Sequence, residues 1–384
     1  MKFNELTKVL FSMWQSKIHQ TVLLLGAPGI GKTAASKILA DLMTQHVRET
    51  NSKAAPALCE VLDLSSMMPE DLAGLPRIVG ETEKDIRTVY APQDWMFRLS
   101  QPDAYGVLVL DDLPAASGAV QVAARQLSLD RRIHQTKISD NVIIIVTGNR
   151  REDKSAATTL PAHFRNSCLM LQIEPDFDTW SQWYGEQALD GLIPAFLLLK
   201  PGHFSRLPKD ADSQGAFATP RTWAMLGKIA GTARTQQSLF PIAAGLVGEG
   251  IATELLGFEK IRAELVSPKE ILANPQQALP NMDNHKHMPD RMIAIVTSIS
   301  EYAAKIDREL PKTTKKRPHV NEYAKALAYV TQHNSDLVNM ALNVYFNNGG
   351  EKSHLLHEII SLRKTDTYVD RMLTILRKSL ISEN

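Results

Sequence analysis

The stretch of sequence that decides the fold reads Gly26-Ala27-Pro28-Gly29-Ile30-Gly31-Lys32-Thr33. It follows the apolar run Thr21-Val22-Leu23-Leu24-Leu25 and precedes a helical pattern at residues 34–40. A strand, a glycine-rich turn and a helix in this order are the context that a phosphate-binding P-loop requires. Glycines carry no Cβ atom, so the backbone turns tightly and points successive N–H groups at an anion, which the positive end of the helix also attracts. The sequence therefore predicts a phosphate site at this turn.

The side chains of the loop indicate which phosphate compound it holds. Lys32 is expected to reach the β- and γ-phosphates of a nucleotide, and the Thr33 hydroxyl is expected to bind Mg²⁺. The residues expected to contact ATP are Gly26, Ala27, Pro28, Gly29, Ile30, Gly31, Lys32, Thr33 and Ala34. The alternative is a glycine-rich turn that matches by chance, and the flanking strand and helix argue against it.

Two carboxylates end the apolar run 107–112, which reads Val-Leu-Val-Leu-Asp-Asp. A continuous apolar run is typical of a strand that is buried on both faces of a parallel sheet. Because ligands of such sheets bind at the carboxyl ends of the strands, we expect both carboxylates to arrive at the P-loop. Asp111 would hold Mg²⁺, directly or through water, and Asp112 would orient the attacking water. The alternative is an acidic loop after a core strand.

Two further polar residues are candidates for the same site. The apolar run 142–149 ends in Asn149, which is placed to bind the γ-phosphate or the nucleophilic water, or to cap a turn. Thr219 and Pro220 fit the cap and the first position of a helix. Arg221 then lies in the first helical turn, where a cation is unfavourable to the helix dipole. This position indicates an anionic partner for Arg221; a plain surface arginine is the alternative.

The order of apolar runs and helical patterns predicts the fold class. Five strands, at 21–25, 56–64, 107–112, 142–149 and 169–173, alternate with helices, after an amphipathic helix at 5–18. This is the pattern of an α/β fold, a P-loop NTPase αβα sandwich with a parallel five-stranded sheet. Residues 77–90 read as a β-hairpin that projects from this domain. Beyond a boundary at 175–178 the pattern becomes all helical.

Composition limits the classes of protein. The 384 residues, 44% hydrophobic and 22% charged, are enough for two or three soluble domains. The net charge of +1 gives no overall field for nucleic acid, and the basic run 312–317 is more often simply solvated, so that partner is unsupported. Cys59 and Cys168 have no metal-like spacing and suggest a reducing compartment. With no signal peptide and no membrane span in the pattern, we expect a cytoplasmic protein.

Taken together, these residues resemble an AAA+ ATPase of the MoxR family, from the clade with an insert in the second helix. The motifs that carry the resemblance are GAPGIGKT at 26–33, PEDLAGLP at 69–76, VLVLDD at 107–112, TGNR at 147–150, LPAHFRNS at 160–167, FATPRTW at 217–223 and AGLVGE at 244–249. The resemblance covers about residues 1–265. It divides the chain into a nucleotide-binding core at 1–175, an all-α lid at 176–265 and a C-terminal helical extension at 266–384.

The resemblance implies roles that periodicity does not show. Asn149 would be sensor 1, Arg221 would be sensor 2 on the lid, and the hairpin at 77–90 would be the insert. The chain would hydrolyse Mg-ATP at the interfaces of a homo-oligomeric ring, often a hexamer, and drive chaperone-like remodelling of a partner, commonly one with a von Willebrand A domain. A nucleotide-gated scaffold with little turnover and a nucleic-acid remodelling ATPase are the alternatives.

Two departures from the family pattern bear on the rate of hydrolysis. Family members carry asparagine, arginine and phenylalanine before the last strand, and the arginine acts in trans as a finger, whereas this chain has Asn166-Ser167-Cys168. Arg165 is the expected substitute, and the other candidates are Arg131, Arg132, Arg150 and Arg151. Asp112 stands where a glutamate is usual and is one methylene shorter. Slow hydrolysis is therefore a second expectation.

Overall fold

The chain forms two compact units. The computed structural model describes residues 1–81, 85–150, 160–187, 189–208, 215–280, 288–311, 317–331, 334–363 and 365–382. The first unit comprises Met1–Asp176 and Leu207–Ser213, and the second comprises Phe177–Arg206 and Gln214–Asn384. Among the helices of these described ranges, none has the length and apolar character needed to cross a membrane.

The first unit is built on a parallel sheet. In chain order, the strands of the described residues are β1 (Val22–Leu25), β2 (Leu58–Asp63), β3 (Leu75–Val79), β4 (Arg87–Ala91), β5 (Gly106–Asp111), β6 (Arg132–Ile133), β7 (Thr136–Lys137), β8 (Val142–Gly148) and β9 (Leu169–Gln172). Five of them form one parallel sheet in the order β2-β5-β8-β1-β9. The five strands predicted from the apolar runs are these five, so the predicted sheet is confirmed.

Helices cover both faces of this sheet. They are α1 (Phe3–Gln15), α2 (Lys32–Thr50), α3 (Pro69–Ala73), α4 (Asp94–Leu99), α5 (Gly118–Asp130) and α6 (Ala162–Asn166). Successive residues of β5 point to opposite faces: Val109 packs in a core with residues of α1 and α2, and Leu110 packs in a second core with residues of α4 and α5. A strand that must fill two cores has no polar face, which is why β5 and β8 read as unbroken apolar runs.

The first unit also contains two antiparallel hairpins. The pair β3–β4 is the hairpin that the sequence predicts at 77–90, and its Ile78 is 75% exposed. The shorter pair β6–β7 escapes sequence reasoning because each of its strands has only two residues. The rings of Tyr90 and His134 stack with centroids 3.7 Å apart, and the Gln135 amide donates a hydrogen bond of 2.6 Å to the Tyr90 carbonyl oxygen. These contacts fasten the two hairpins to each other.

The second unit is helical. Its helices in the described ranges are Phe177–Glu186, Leu192–Leu199, Pro220–Thr235, Leu239–Val247, Glu249–Ala263, Pro268–Ala273, Pro275–Ala278, Pro289–Glu309, Pro318–Thr331, Ser335–Asn347, Lys352–Leu362 and Thr367–Ser382. Residues from both sides of position 265, such as Trp223 and Ile295, contribute to one apolar core. The division of this region into a lid and a C-terminal extension stays a prediction.

A buried carboxylate joins four helices of the second unit. The side chain of Asp307 is fully buried, and Arg317 donates a hydrogen bond to its Oδ1. His319 Nε2 lies 3.1 Å from the same oxygen, while Tyr345 Oη and the Glu351 N–H each donate a bond of 2.6 Å to Oδ2. Burial alone would raise the pKa of Asp307, but the hydrogen bonds from Tyr345, Glu351 and Arg317 outweigh it and hold that pKa below its ordinary value.

This network also explains one end of the basic run 312–317. Arg317 is only 8% exposed and faces a carboxylate of its own chain, so it is a structural residue and does not belong to a solvated basic surface. Residues 312–316 lie outside the described residues.

Replacing Asp307 by asparagine should destabilise the second unit. The change leaves the buried Arg317 guanidinium opposite an uncharged amide, and breaking a buried pair in this way costs about 3–5 kcal/mol. Urea unfolding followed by circular dichroism measures the loss in the free energy of unfolding. The control is Asp370→Asn, because the Arg363–Asp370 pair is exposed on the surface and is expected to contribute less than about 1 kcal/mol.

The same prediction has a pH dependence. Because the pKa of Asp307 is lower in the folded than in the unfolded chain, its stabilisation is complete above the unfolded pKa of about 4. It is lost as the pH falls through the folded pKa, so the difference between Asp307→Asn and wild type should shrink in acid. If Asp307→Asn and Asp370→Asn lowered the free energy of unfolding equally at neutral pH, the stabilising role of the buried Asp307 carboxylate would be contradicted.

Candidate functional site

The P-loop joins the end of β1 to the start of α2. Gly29 and Gly31 have φ angles of 75° and 100°, in the left-handed region that glycine adopts without strain. A Cβ atom on Gly26 would lie 2.6 Å from the Ile30 Cδ1 and 2.8 Å from the Ile173 carbonyl oxygen. The loop thus has the tight backbone that phosphate binding requires, and at three positions only glycine fits it.

Lys32 links the loop to the end of β8. Its Nζ donates hydrogen bonds to the carbonyl oxygens of Gly26 at 2.7 Å and Ala27 at 2.9 Å, and to Asn149 Oδ1 at 2.8 Å. The Gly26 N–H donates to the Gly148 carbonyl oxygen at 3.3 Å, so the backbones of the two segments also meet. The structure therefore brings together Lys32 and Asn149, which the sequence places 117 residues apart.

Thr33 lies against the first of the two carboxylates. Its hydroxyl is 3.3 Å from Asp111 Oδ1 and 3.2 Å from Asp111 Oδ2. The Thr147 hydroxyl donates a further hydrogen bond to Asp111 Oδ1. Hydroxyl and carboxylate oxygens are hard donors of the kind that Mg²⁺ prefers, so Thr33 and Asp111 fit the group that the sequence predicts for them.

Asp112 has an unusual backbone and a buried side-chain atom. Its φ and ψ angles of 54° and 42° lie in the left-handed region, between β5 and the 3₁₀ turn Leu113–Ala115. Its N–H donates to Thr147 Oγ1 at 3.1 Å, and its Oδ1 is buried with no hydrogen-bond partner in the described part of the chain. Burial and then the charge of Asp111 raise the pKa of Asp112, which the charge of Lys32 partly offsets. An orphaned acceptor of raised pKa is suited to take a proton from water.

Two residues of this site lie in the TGNR motif, but the sequence assigns neither of them an individual role. Thr147 bonds to both carboxylate residues, and Gly148 allows close packing, because a Cβ there would lie 2.7 Å from Pro114 Cγ. The signal for both residues is their place in TGNR, at the carboxyl end of the apolar run that leads to Asn149.

The arginines proposed as fingers occupy different environments. Arg131 is only 7% exposed, and its guanidinium donates bonds of 2.7 Å to the carbonyl oxygens of Ser139 and Val142. It stabilises the turn after α5 within its own chain, so its candidacy as a trans finger is wrong. Arg165, on α6, and Arg132 are exposed and remain candidates. Arg151 lies outside the described residues.

Arg221 lies where the sequence places it locally. Thr219 caps the helix Pro220–Thr235: its Oγ1 accepts a bond of 3.2 Å from the Thr222 N–H, and Thr222 Oγ1 accepts one of 2.8 Å from the Thr219 N–H. Arg221 is exposed in the first turn. It belongs to the second unit, and its role as sensor 2 stays a prediction.

Comparison with known proteins identifies the class of the first unit. Residues 22–169 match the family described as ATPase family associated with various cellular activities (AAA). The chain thus contains an AAA ATPase family domain with the P-loop αβα fold. No curated protein matches this chain.

Several solved structures are similar to this chain at low identity. Caenorhabditis elegans PCH-2 is 15% identical, with 68% of this chain and 69% of that chain covered and a TM-score of 0.32. A mutant of Thermotoga maritima RuvB is also 15% identical, with 81% and 88% covered and a TM-score of 0.35. A DNA polymerase III gamma subunit-related protein from Thermotoga maritima is 9% identical, with 89% and 98% covered and a TM-score of 0.33. The AAA match concerns the domain at residues 22–169.

Adding a methyl group at Gly26 should disrupt the P-loop. Gly26→Ala forces the loop away from the Ile173 carbonyl oxygen, so affinity for a fluorescent ATP analogue should fall at least about tenfold, or about 1.4 kcal/mol. Gly118→Ala is the matched control, because a Cβ there has no atom within 4 Å. Equal affinity in both variants would argue against a nucleotide in this loop.

Proposed function

We propose that the first unit binds and hydrolyses Mg-ATP, and that the chain is a MoxR-type AAA+ ATPase that remodels a partner protein or complex. One observation carries the proposal: Lys32 contacts Asn149 at 2.8 Å, and Thr33 contacts Asp111 at 3.2 Å, at the same edge of the sheet. Chance similarity to a P-loop would not bring a carboxylate and an amide from the ends of two other strands to the cation and the hydroxyl that follow the loop.

The residues of the chain divide the work of hydrolysis. The P-loop N–H groups and Lys32 hold the phosphates, while Asn149 orients the γ-phosphate or the attacking water. Thr33 and Asp111 would hold Mg²⁺, which when bound neutralises charge on the phosphate oxygens. The orphaned Oδ1 of Asp112 accepts the proton of the attacking water, and its raised pKa makes it a stronger base than an ordinary aspartate.

Assembly completes the proposal. In a ring, often a hexamer in relatives of this type, the exposed Arg165 of one protomer would reach the ATP of its neighbour, and Arg221 would contact the phosphates as sensor 2. The exposed hairpin β3–β4 is the insert that marks the helix-2-insert clade. A protein with a von Willebrand A domain is the expected partner. These elements of the proposal rest on the resemblance carried by the motif set, whereas the AAA match supports the nucleotide-binding domain at residues 22–169.

A nucleotide-gated scaffold with little turnover is the second candidate. Asp112 is shorter than the usual glutamate, and Ser167 stands in place of the usual finger arginine. Either change slows hydrolysis while leaving the P-loop contacts intact, so such a chain would bind ATP, assemble and recruit partners.

The Lys32→Ala variant tests the enzyme. Removing the ammonium takes away a donor to the phosphates, so ATP turnover should fall about 10²–10³-fold in a phosphate-release assay. Lys37→Ala, an exposed lysine of the same helix, is the control and should keep the wild-type rate. The proposal fails if wild type, alone and with candidate partners, is no faster than Lys32→Ala.

The double variant Asp112→Glu, Ser167→Arg tests the scaffold. If these two positions limit turnover, restoring both should speed ATP hydrolysis at least about tenfold, since a finger arginine alone is worth about 10³–10⁵. The control combines Asp112→Glu with Ser353→Arg, which adds the same positive charge at an exposed serine of the second unit. A faster rate only in the variant with Ser167→Arg would then reflect the finger position and not the added charge. An unchanged or lower rate would count against the scaffold.

A further inference from the structure

We propose that Thr147 is a positioning residue of this site, whose single hydroxyl fixes both the Asp111 carboxylate and the backbone of Asp112. The inference rests on the proposed function, because it assigns a task within Mg-ATP binding and hydrolysis. Thr147 begins the TGNR motif at 147–150, but the sequence assigns it no role of its own. It is only 1% exposed and lies on β8, next to the last residue of that strand.

The hydroxyl makes two bonds in opposite senses. Thr147 Oγ1 donates to Asp111 Oδ1 and accepts from the Asp112 N–H at 3.1 Å. A hydroxyl has one proton and two lone pairs, so it can make both bonds at the same time. A valine has nearly the same shape and can make neither. The chemistry of this position, and not only its volume, therefore matters.

The first bond orients the expected magnesium ligand. Asp111 Oδ1 accepts from Thr147 on one side, and both carboxylate oxygens face the Thr33 hydroxyl at 3.3 and 3.2 Å on the other. A group that hydrogen-bonds to a metal ligand on the side away from the metal fixes the rotation of that ligand. Loss of such a group typically costs 10- to 100-fold in metal affinity or activity. Thr147 occupies that position relative to Asp111.

The second bond holds Asp112 in its left-handed turn. A residue with a Cβ atom adopts this conformation only with backbone strain, so neighbouring contacts must stabilise it. The Asp112 N–H bonds to Thr147, and its carbonyl oxygen accepts a bond of 3.0 Å from the Ala115 N–H. With its backbone held at both ends, the side chain keeps one buried oxygen without a donor among the described residues. Thr147 therefore sets the directions of two carboxylates that do different work.

The experiment compares Thr147→Val with Thr147→Ser. Binding of a fluorescent ATP analogue, titrated with Mg²⁺, measures the Mg²⁺ concentration at half-saturation without requiring turnover. Thr147→Val should raise this concentration about 10- to 100-fold, and Thr147→Ser should restore it to within about threefold of wild type. In steady-state hydrolysis, Thr147→Val should lower kcat more than it changes KM for ATP, because the hydroxyl touches the carboxylates and not the phosphates.

A buried threonine outside the site provides the control. Thr297 is fully buried in the second unit, and among the described residues its hydroxyl donates to the carbonyl oxygens of Ile293 and Ala294 in its own helix. Thr297→Val therefore loses a buried hydroxyl of the same kind and should leave the Mg²⁺ titration unchanged. Should Thr147→Val fail to fold, Thr147→Ala against Thr147→Ser isolates the same hydroxyl.

The outcomes separate this inference from the proposed function. If wild type and Lys32→Ala bind the analogue equally, the proposed function fails and the inference falls with it. If binding depends on Lys32 while Thr147→Val, or Thr147→Ala, needs the same Mg²⁺ concentration as Thr147→Ser, only the inference is overturned. The inference would also be overturned if Thr147→Val and Thr297→Val both raised the Mg²⁺ concentration at half-saturation, since that result would indicate general destabilisation.

Discussion

The site depends on the place of β8 between β5 and β1. Because the strands are parallel and in register, the carboxyl end of β8 faces the P-loop on one side and the two carboxylates on the other. Asn149 therefore reaches Lys32, while Thr147, two residues earlier and on the same side of the strand, reaches Asp111. If β8 were not the neighbour of both β1 and β5, at least one of these contacts would have to span an additional strand spacing.

Charge balance at this edge follows from the same geometry. Lys32 is held by two carbonyl oxygens and an amide oxygen, and it is close enough to the carboxylates to lower the pKa of Asp112. Burial and the neighbouring Asp111 act in the opposite direction and prevail. The two adjacent aspartates thus differ: Asp111 accepts hydrogen bonds from two hydroxyls, whereas Asp112 Oδ1 receives none in the part of the chain that the structure describes. This asymmetry is consistent with the different roles proposed for them, a magnesium ligand at Asp111 and a proton acceptor at Asp112.

Much of this could be predicted from the sequence, because the relevant signals are local. Continuous apolar runs identify strands that are buried on both faces, and polar residues at their ends must meet at one edge of the sheet. The glycine-rich turn indicates Lys32, and the polar ends of two apolar runs indicate Asp111 and Asn149. Thr219 and Pro220 likewise begin the helix that they predict.

The rest depends on contacts between distant segments. Thr147 inside an apolar run looks like any β-branched strand residue, and its task appears only when β5 lies beside it. The left-handed turn at Asp112 has no glycine to signal it. The sequence makes Arg131 a candidate finger, yet carbonyl oxygens eight and eleven residues further along the chain bind it in the interior. Asp307 and Arg317 gave no sign that they would meet in a core.

The second unit shows how the helix that bears Arg221 is tied to the C-terminal helices. Trp223, two residues after Arg221, is fully buried, and its indole N–H donates to the His203 carbonyl oxygen at 2.9 Å. Its core continues into the helix Pro289–Glu309, which an ion pair of 2.9 Å between Arg262 and Glu301 joins to the helix Glu249–Ala263. Close-packed interiors transmit displacement because they have few voids to absorb it. A displacement of the helix that bears Arg221 would therefore be transmitted to the helix Pro289–Glu309 through the core that both helices share.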